Sequence, residues 1–254
     1  MHQSELAAGA VRLVVDDQVA TVTLSRPERR NALTPAVWHA LASIGSDLPD
    51  QVRIVVVRGE GPSFCAGIDI KLLSGQEPGQ VAKATDEDFE QQVAGYQAGY
   101  LWLRDPRIVS IAAVHGHAIG AGFQLALSCD LRILADDARF CMKEPALGLV
   151  PDLTGTKPLV DIVGLPRAIE LCLTARTVTA EEAVLLRLAE LMVPAGELDG
   201  AVADLIAALL ATDAAAARAT KALLAQAAGN TLEQQAAAER RAQRELLLKR
   251  IITP

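Results

Sequence analysis

Main-chain amides are the first chemistry this sequence offers. His117–Asp130, HAIGAGFQLALSCD, runs small residues straight into an apolar segment that reads as a helix. Such a run leaves N–H groups uncovered, and the start of a helix favours negative charge, whether bound or developing. A dinucleotide fingerprint needs a third glycine where Leu125 stands, and a P-loop needs Gly-Lys-Ser/Thr where Gly122 is followed by Phe123 and Gln124. No Lys or Arg lies in the stretch, so a developing oxyanion fits better than a full phosphate. Glycines that only let a helix pack close to a strand would read the same. A second stretch tips the balance. Ser63–Lys71, SFCAGIDIK, also ends an apolar strand in small residues. Two strand ends, each presenting a backbone donor, are what an oxyanion hole for an ester or thioester enolate requires. Cys65 is a weaker candidate, because neither His115 nor His117 is placed by sequence to activate it.

The elements that must hold these amides alternate in type. Val11–Val15 and Val19–Leu24 read as a hairpin around Asp16-Asp17-Gln18. Thr34-Pro35 opens a helix to about Ser46, with Thr as N-cap and Pro at the first helical position. Val52–Arg58 and Ile108–Val114 are apolar enough to be strands buried on both faces. Leu73–Thr85, rich in Gly and Gln, reads as a mobile loop before a helix over Asp86–Leu103. Short strands follow at Leu131–Ala135 and Arg139–Met142, and the chain is mostly helical from Leu165. A capping box starts at Thr179, and the Ala/Leu-rich tail breaks at Gly229-Asn230. The class is α/β with a helical tail.

Composition narrows the rest. A chain of 254 residues can bury a sizeable core. A net charge of −7 without a basic block argues against nucleic acid, and the apolar runs are too short to cross a bilayer. The N-terminus shows no export pattern, so a cytoplasmic location is expected. Cys65, Cys129, Cys141 and Cys172 lack metal spacing and read as small buried hydrophobes. His115 and His117 have no Cys or Asp set beside them, so no metal is expected.

The sequence resembles the crotonase superfamily, the enoyl-CoA hydratase/isomerase group. Arg26–Leu33 (RPERRNAL), Ser63–Lys71, Ala112–Asp130 and Gly148–Thr156 carry the likeness. The resemblance implies a crotonase-like spiral of ββα repeats over residues 1–196. It also implies a C-terminal helical region over 197–254 that builds a homotrimer or a dimer of trimers. The ligand it implies is an acyl-CoA, with coenzyme A as part of the substrate and no separate cofactor. By position, the N–H groups of Ile68 and Ala121 would hold the thioester oxygen. Arg26, Arg29, Ala32, Ala66, Asp69, Ile70 and Lys71 lie where family members contact CoA, with Arg30 beside them.

Hydratases of this family carry two glutamates that position water. Here the first place is Gln124, an amide that can hold a water but cannot exchange a proton, or else an inert helix residue hydrogen-bonded to backbone. The second is Glu144, and Asp152 follows where several isomerases and a dehalogenase branch have an aspartate. Glu144 and Asp152 could share proton removal and return, which favours shifting a double bond in an enoyl-CoA. Hydration of a 2-enoyl-CoA and non-catalytic acyl-CoA binding are the alternatives.

Overall fold

The computed structural model describes residues 2–75 and 85–252. Its first half runs β1 (His2–Leu6), β2 (Val11–Asp16), β3 (Val19–Leu24), α1 (Pro35–Ser46), β4 (Ile54–Gly59), α2 (Ile70–Gly75) and α3 (Asp86–Leu101). Next come β5 (Val109–Val114), β6 (His117–Ile119), α4 (Ala121–Ser128), β7 (Leu131–Ala135) and β8 (Arg139–Cys141). The rest is α5 (Thr156–Val163), α6 (Leu165–Thr174), β9 (Val178–Thr179), α7 (Ala180–Leu185), β10 (Leu191–Val193), α8 (Leu198–Leu210), α9 (Ala214–Ala227) and α10 (Leu232–Ile252). The loop expected over Leu73–Thr85 begins inside α2, and its residues 76–84 lie outside the described residues.

A seven-stranded sheet takes the order β1-β2-β3-β4-β5-β7-β10, antiparallel across β1-β2-β3 and parallel from β3 onward. The strands alternate their burial. Val55, Val57, Ala112, Val114 and Leu134 join the large core. Ile54, Val56, Ile111, Ala113, Ile133 and Ala135 form a second cluster with Leu198 and Val202 of α8. Both faces are therefore covered, as the near-continuous apolar runs require. Helix α8 lies in the expected tail, yet it seals one side of the sheet. Strands β1, β9 and β10 escaped the sequence reading, as did the three-residue β6. Strand β1 is a polar edge strand, and β9 and β10 are only 2 and 3 residues long.

Two cap expectations change in detail. Thr34 occupies the N-cap of α1 but makes no side-chain bond there, although Pro35 does take the first position. Thr179 Oγ1 accepts the Glu182 N–H at 3.3 Å, but Glu182 does not close the box. Its carboxylate takes two charge-assisted bonds from Arg176 instead, at 2.6 and 2.8 Å. Among the described residues, no single helix is long and apolar enough to cross a membrane.

Candidate active site

Parallel neighbours end at the same edge of a sheet, so the segments that leave β4 and β5 emerge side by side. They continue pairing after the strands end. Phe64 N–H donates to His115 O, Cys65 N–H to His117 O, and Ile119 N–H to Cys65 O, all at 2.8–2.9 Å. On the other side, Leu33 N–H donates to Gly67 O at 2.7 Å and Asp69 N–H to Leu33 O at 2.9 Å. In a parallel bridge of this kind, residue 68 turns its own N–H away from Leu33. That direction faces the start of α4.

Two glycines make the approach possible. Gly67 has φ +92°, and a Cβ built on it would stand 2.6 Å from Ile119 O and 3.7 Å from Ala121 N. Gly120 has φ +51°, and its Cβ would stand 3.0 Å from Glu144 Oε1. Side chains at these two positions would force the segments apart. Ala121 is the first residue of α4, where an N–H has no intrahelical acceptor. Among the described residues, the N–H groups of Ile68 and Ala121 find no acceptor. Both residues border one cavity of about 780 Å3, together with Glu144 and Asp152. Its apolar wall includes Trp38, Leu72, Phe89, Tyr96, Leu149 and Val150.

Further groups lock the amides from behind. Tyr100, fully buried, donates its hydroxyl to Ala121 O at 3.2 Å and accepts from Trp38 Nε1 at 3.1 Å. Asn31 spans three segments. Its Oδ1 accepts Arg26 N–H at 2.8 Å, and its Nδ2 donates to Glu60 O at 2.9 Å and Ser63 O at 2.7 Å. Sequence reasoning missed these positioning roles, because all their partners but Arg26 lie 21 to 62 residues away in the chain.

Glu144 is buried, and burial pushes its carboxyl above the ordinary glutamate value, with the negative charge of Asp152 adding to the rise. Its Oε1 accepts Gln124 Nε2 at 2.7 Å, while Oε2 has no partner among the described residues. Asp152 is exposed at the cavity wall, and desolvation there raises its carboxyl as well. Its carbonyl oxygen accepts from Gln97 at 2.7 Å.

Of the two readings open for Gln124, its geometry fits the side chain bonded to backbone and not the water-holding one. The residue is 0% exposed and does not border the cavity. Its Nε2 is engaged by Glu144, and its Oε1 accepts Leu153 N–H at 2.9 Å and Gly155 N–H at 3.2 Å. Cys65 is also removed from the list of nucleophiles, since burial pushes its thiol up to about 12.

Around the second segment, hydrogen bonds tie the two stretches that hold the positions expected at CoA, Arg26–Ala32 and Ala66–Lys71, to each other. Arg26 departs from that expectation. Its guanidinium is occupied by Ala32 O at 2.6 Å and Asp69 Oδ2 at 3.0 Å, so it braces the loop rather than offering itself to a phosphate. Burial would raise the Asp69 carboxyl, but the Arg26 hydrogen bond, the Lys71 amide and the charges of Arg26 and Arg29 hold it below the ordinary value. Arg29, Arg30 and Lys71 are exposed, as is Ile70. Ala66 N–H donates to Arg30 O at 2.8 Å. His115 and His117 bond to Gly61 O at 2.8 Å and Ser63 Oγ at 3.1 Å, fixing the turn that leads into the loop.

The family profile described as enoyl-CoA hydratase/isomerase matches residues 15–251. The chain belongs to the enoyl-CoA hydratase/isomerase family. A "probable enoyl-CoA hydratase" of Mycobacterium bovis is 36% identical over 185 residues, covering 72% of this chain and 68% of that protein. The peroxisomal Δ(3,5)-Δ(2,4)-dienoyl-CoA isomerase of Arabidopsis thaliana is 32% identical over 233 residues, covering 88% and 83%. A candidate enoyl-CoA hydratase of Thermobifida fusca YX, solved in complex with CoA, superposes with a TM-score of 0.92 at 58% identity, covering 98% of this chain and 96% of that one. The same protein was solved with acetoacetyl-CoA. The crotonase-like α/β fold with C-terminal helices, expected from the resemblance, is the fold of these structures.

Proposed function

We propose that the protein shifts a double bond in an enoyl-CoA through a thioester enolate. One observation carries the preference for isomerisation. The place where a hydratase would keep its first water-positioning glutamate is filled by a buried amide whose ends are occupied, which leaves Glu144 and Asp152 as the proton-transfer groups at the amide end of the cavity.

In this reading, the thioester oxygen accepts from the Ile68 and Ala121 N–H groups. Glu144 Oε2, which has no partner among the described residues, removes a proton from the carbon chain. The electron pair moves toward the carbonyl and the charge settles on the oxygen, where two fixed donors meet it. Glu144 or Asp152 then returns a proton at the far end of the allyl system, and the double bond has moved with no change of mass. A carboxyl raised by burial is better matched to proton transfer near neutral pH than an ordinary one. The exposed positive side chains of Arg29, Arg30 and Lys71 suit the CoA phosphates. Exposed leucines and an isoleucine on α9 and α10 (Leu224, Leu232, Ile251) support a homotrimer or dimer of trimers, and a cytoplasmic location with no cofactor beyond CoA completes the reading.

Hydration is the second reading, favoured by the names of the relatives at 36% and 58% identity. Incubation with 2-enoyl-, 3-enoyl- and 3,5-dienoyl-CoA separates them. Isomerisation changes absorbance at constant mass. Products heavier by one water, without isomers, would overturn the proposal.

A further inference from the structure

We infer that Gln124 is a positioning residue that fixes both proton-transfer groups at once, its amide doing both tasks without the extra proton that a carboxyl at this place would have to share with Glu144. This inference rests on the proposed function for its consequence in turnover, but not for its physical content. The side chain of residue 124 is asked for two opposite services. Toward the turn that carries Asp152 it must accept, from Leu153 N–H at 2.9 Å and Gly155 N–H at 3.2 Å. Toward Glu144 Oε1 it must donate, at 2.7 Å. An amide has an acceptor at one end and a donor at the other. A glutamate would keep the acceptor end but set an oxygen against Glu144 at about the same distance, where two carboxylates cannot both ionise. A methionine would fill the space and do neither.

The geometry has two consequences. Because Nε2 occupies Oε1 of Glu144, the oxygen left for substrate is Oε2, and the orientation of the carboxyl is set. Because Oε1 of Gln124 gathers two turn amides, those of Leu153 and Gly155, Asp152 is held one residue from a fixed point. The turn also lies hard against the Gln124 stem, since a Cβ at position 155 would stand 2.5 Å from Gln124 Cγ. Gln124 touches neither the cavity nor a reacting atom. It acts through Glu144 and the 153–155 turn.

The two services can be broken separately in the full chain. Glu144 is followed by carboxyl NMR titration, assigned with Glu144→Gln, and the turn by amide hydrogen exchange at Leu153 and Gly155. Gln124→Glu should raise the titration midpoint of the 124/144 pair by more than one pH unit, with one proton shared, while both turn amides stay protected. Gln124→Met should raise the Glu144 midpoint, because a donor to the charged form is lost, and should speed exchange at both amides at least tenfold. In both variants the alkaline-going limb of kcat/KM follows the new midpoint. A purely space-filling role predicts unchanged midpoints in both variants, and that outcome overturns the inference. So does equal loss of amide protection in Gln124→Glu. If the titrations move as expected but no isomer forms from any enoyl-CoA, the positioning role stands and the proposed reaction fails. Should Gln124→Met not fold, the Gln124→Glu titration and exchange decide alone.

Discussion

Proline at position 121 would delete one of the two amide donors without touching any side-chain chemistry. Ala121 is the first residue of α4, the helical position at which proline is best tolerated, and its N–H serves no helix bond. The usual restriction on the residue before proline is relaxed here because that residue is Gly120, at φ +51° and ψ −118°. Ala121→Pro should therefore fold, with a melting midpoint close to that of the parent. What it removes is a donor aimed at developing charge. Loss of one such donor costs about 3 kcal/mol of transition-state stabilisation, a fall in kcat of roughly 10²–10³-fold. The proline ring also reaches into the space the thioester oxygen would fill, so acyl-CoA binding should weaken in parallel. Ala121→Gly retains the N–H and should stay within a few-fold of the parent. The assay is the initial rate with a 3-enoyl-CoA, followed by absorbance of the conjugated product, beside a thermal melt of each variant. A well-folded Ala121→Pro with kcat within fivefold of the parent would refute the oxyanion assignment.

The other predictions address the acid groups and the cavity. Glu144→Gln should lower kcat by about 10²–10⁴-fold while leaving acyl-CoA affinity within a few-fold, as calorimetry would show. Because the parent Glu144 titrates above the ordinary glutamate value, kcat/KM in the parent should climb with pH across that raised value; a limb that survives in Glu144→Gln would assign the titration elsewhere. Asp69 titrates low, so its contribution to stability is present above the ordinary aspartate value, about 3.9, and is lost as pH falls through the folded value. Arg26→Met should erase that acid-side loss and cost about 1–3 kcal/mol near neutral pH, because Ala32 O and Asp69 lose their donor; denaturant melts across pH would show it. The apolar cavity should reward chain length, with each added methylene buried worth about 0.8 kcal/mol, or roughly fourfold in affinity. Equal affinities for four- and eight-carbon acyl-CoAs would argue that the chain does not enter between Trp38, Phe89 and Tyr96.

What the sequence disclosed, and what it withheld, follows a physical line. VRIVVVR and IVSIAAV declare strands buried on two sides, because each holds four consecutive apolar residues, Ile54 to Val57 and Ile111 to Val114, with no polar residue alternating among them. The amides after them were legible for the same reason: small residues at the close of a buried strand leave the backbone bare. Gln124 was legible as an amide in an acid's place, but not as a group turned into the fold. That depended on Leu153 and Gly155 folding back across 29 and 31 residues to meet it. Arg26 read as a phosphate contact because it is positive beside a motif; only the fold showed its charge spent on Asp69. The Trp38–Tyr100–Ala121 chain bridges separations of 62 and 21 residues, and its three members share no pattern in the sequence.

Donors that belong to the main chain have an odd genetic signature. At positions 68 and 121 every residue but proline brings the same N–H, so a saturation-mutagenesis map should show half-buried Ile68 as comparatively permissive and Ala121, buried in the core, as restricted by size alone. Intolerance should appear one residue upstream of each, at Gly67 and Gly120, where an added methyl meets Ile119 O or the Glu144 carboxylate. The most important atoms would thus be invisible to a survey of residue identity, and their neighbours would stand in for them.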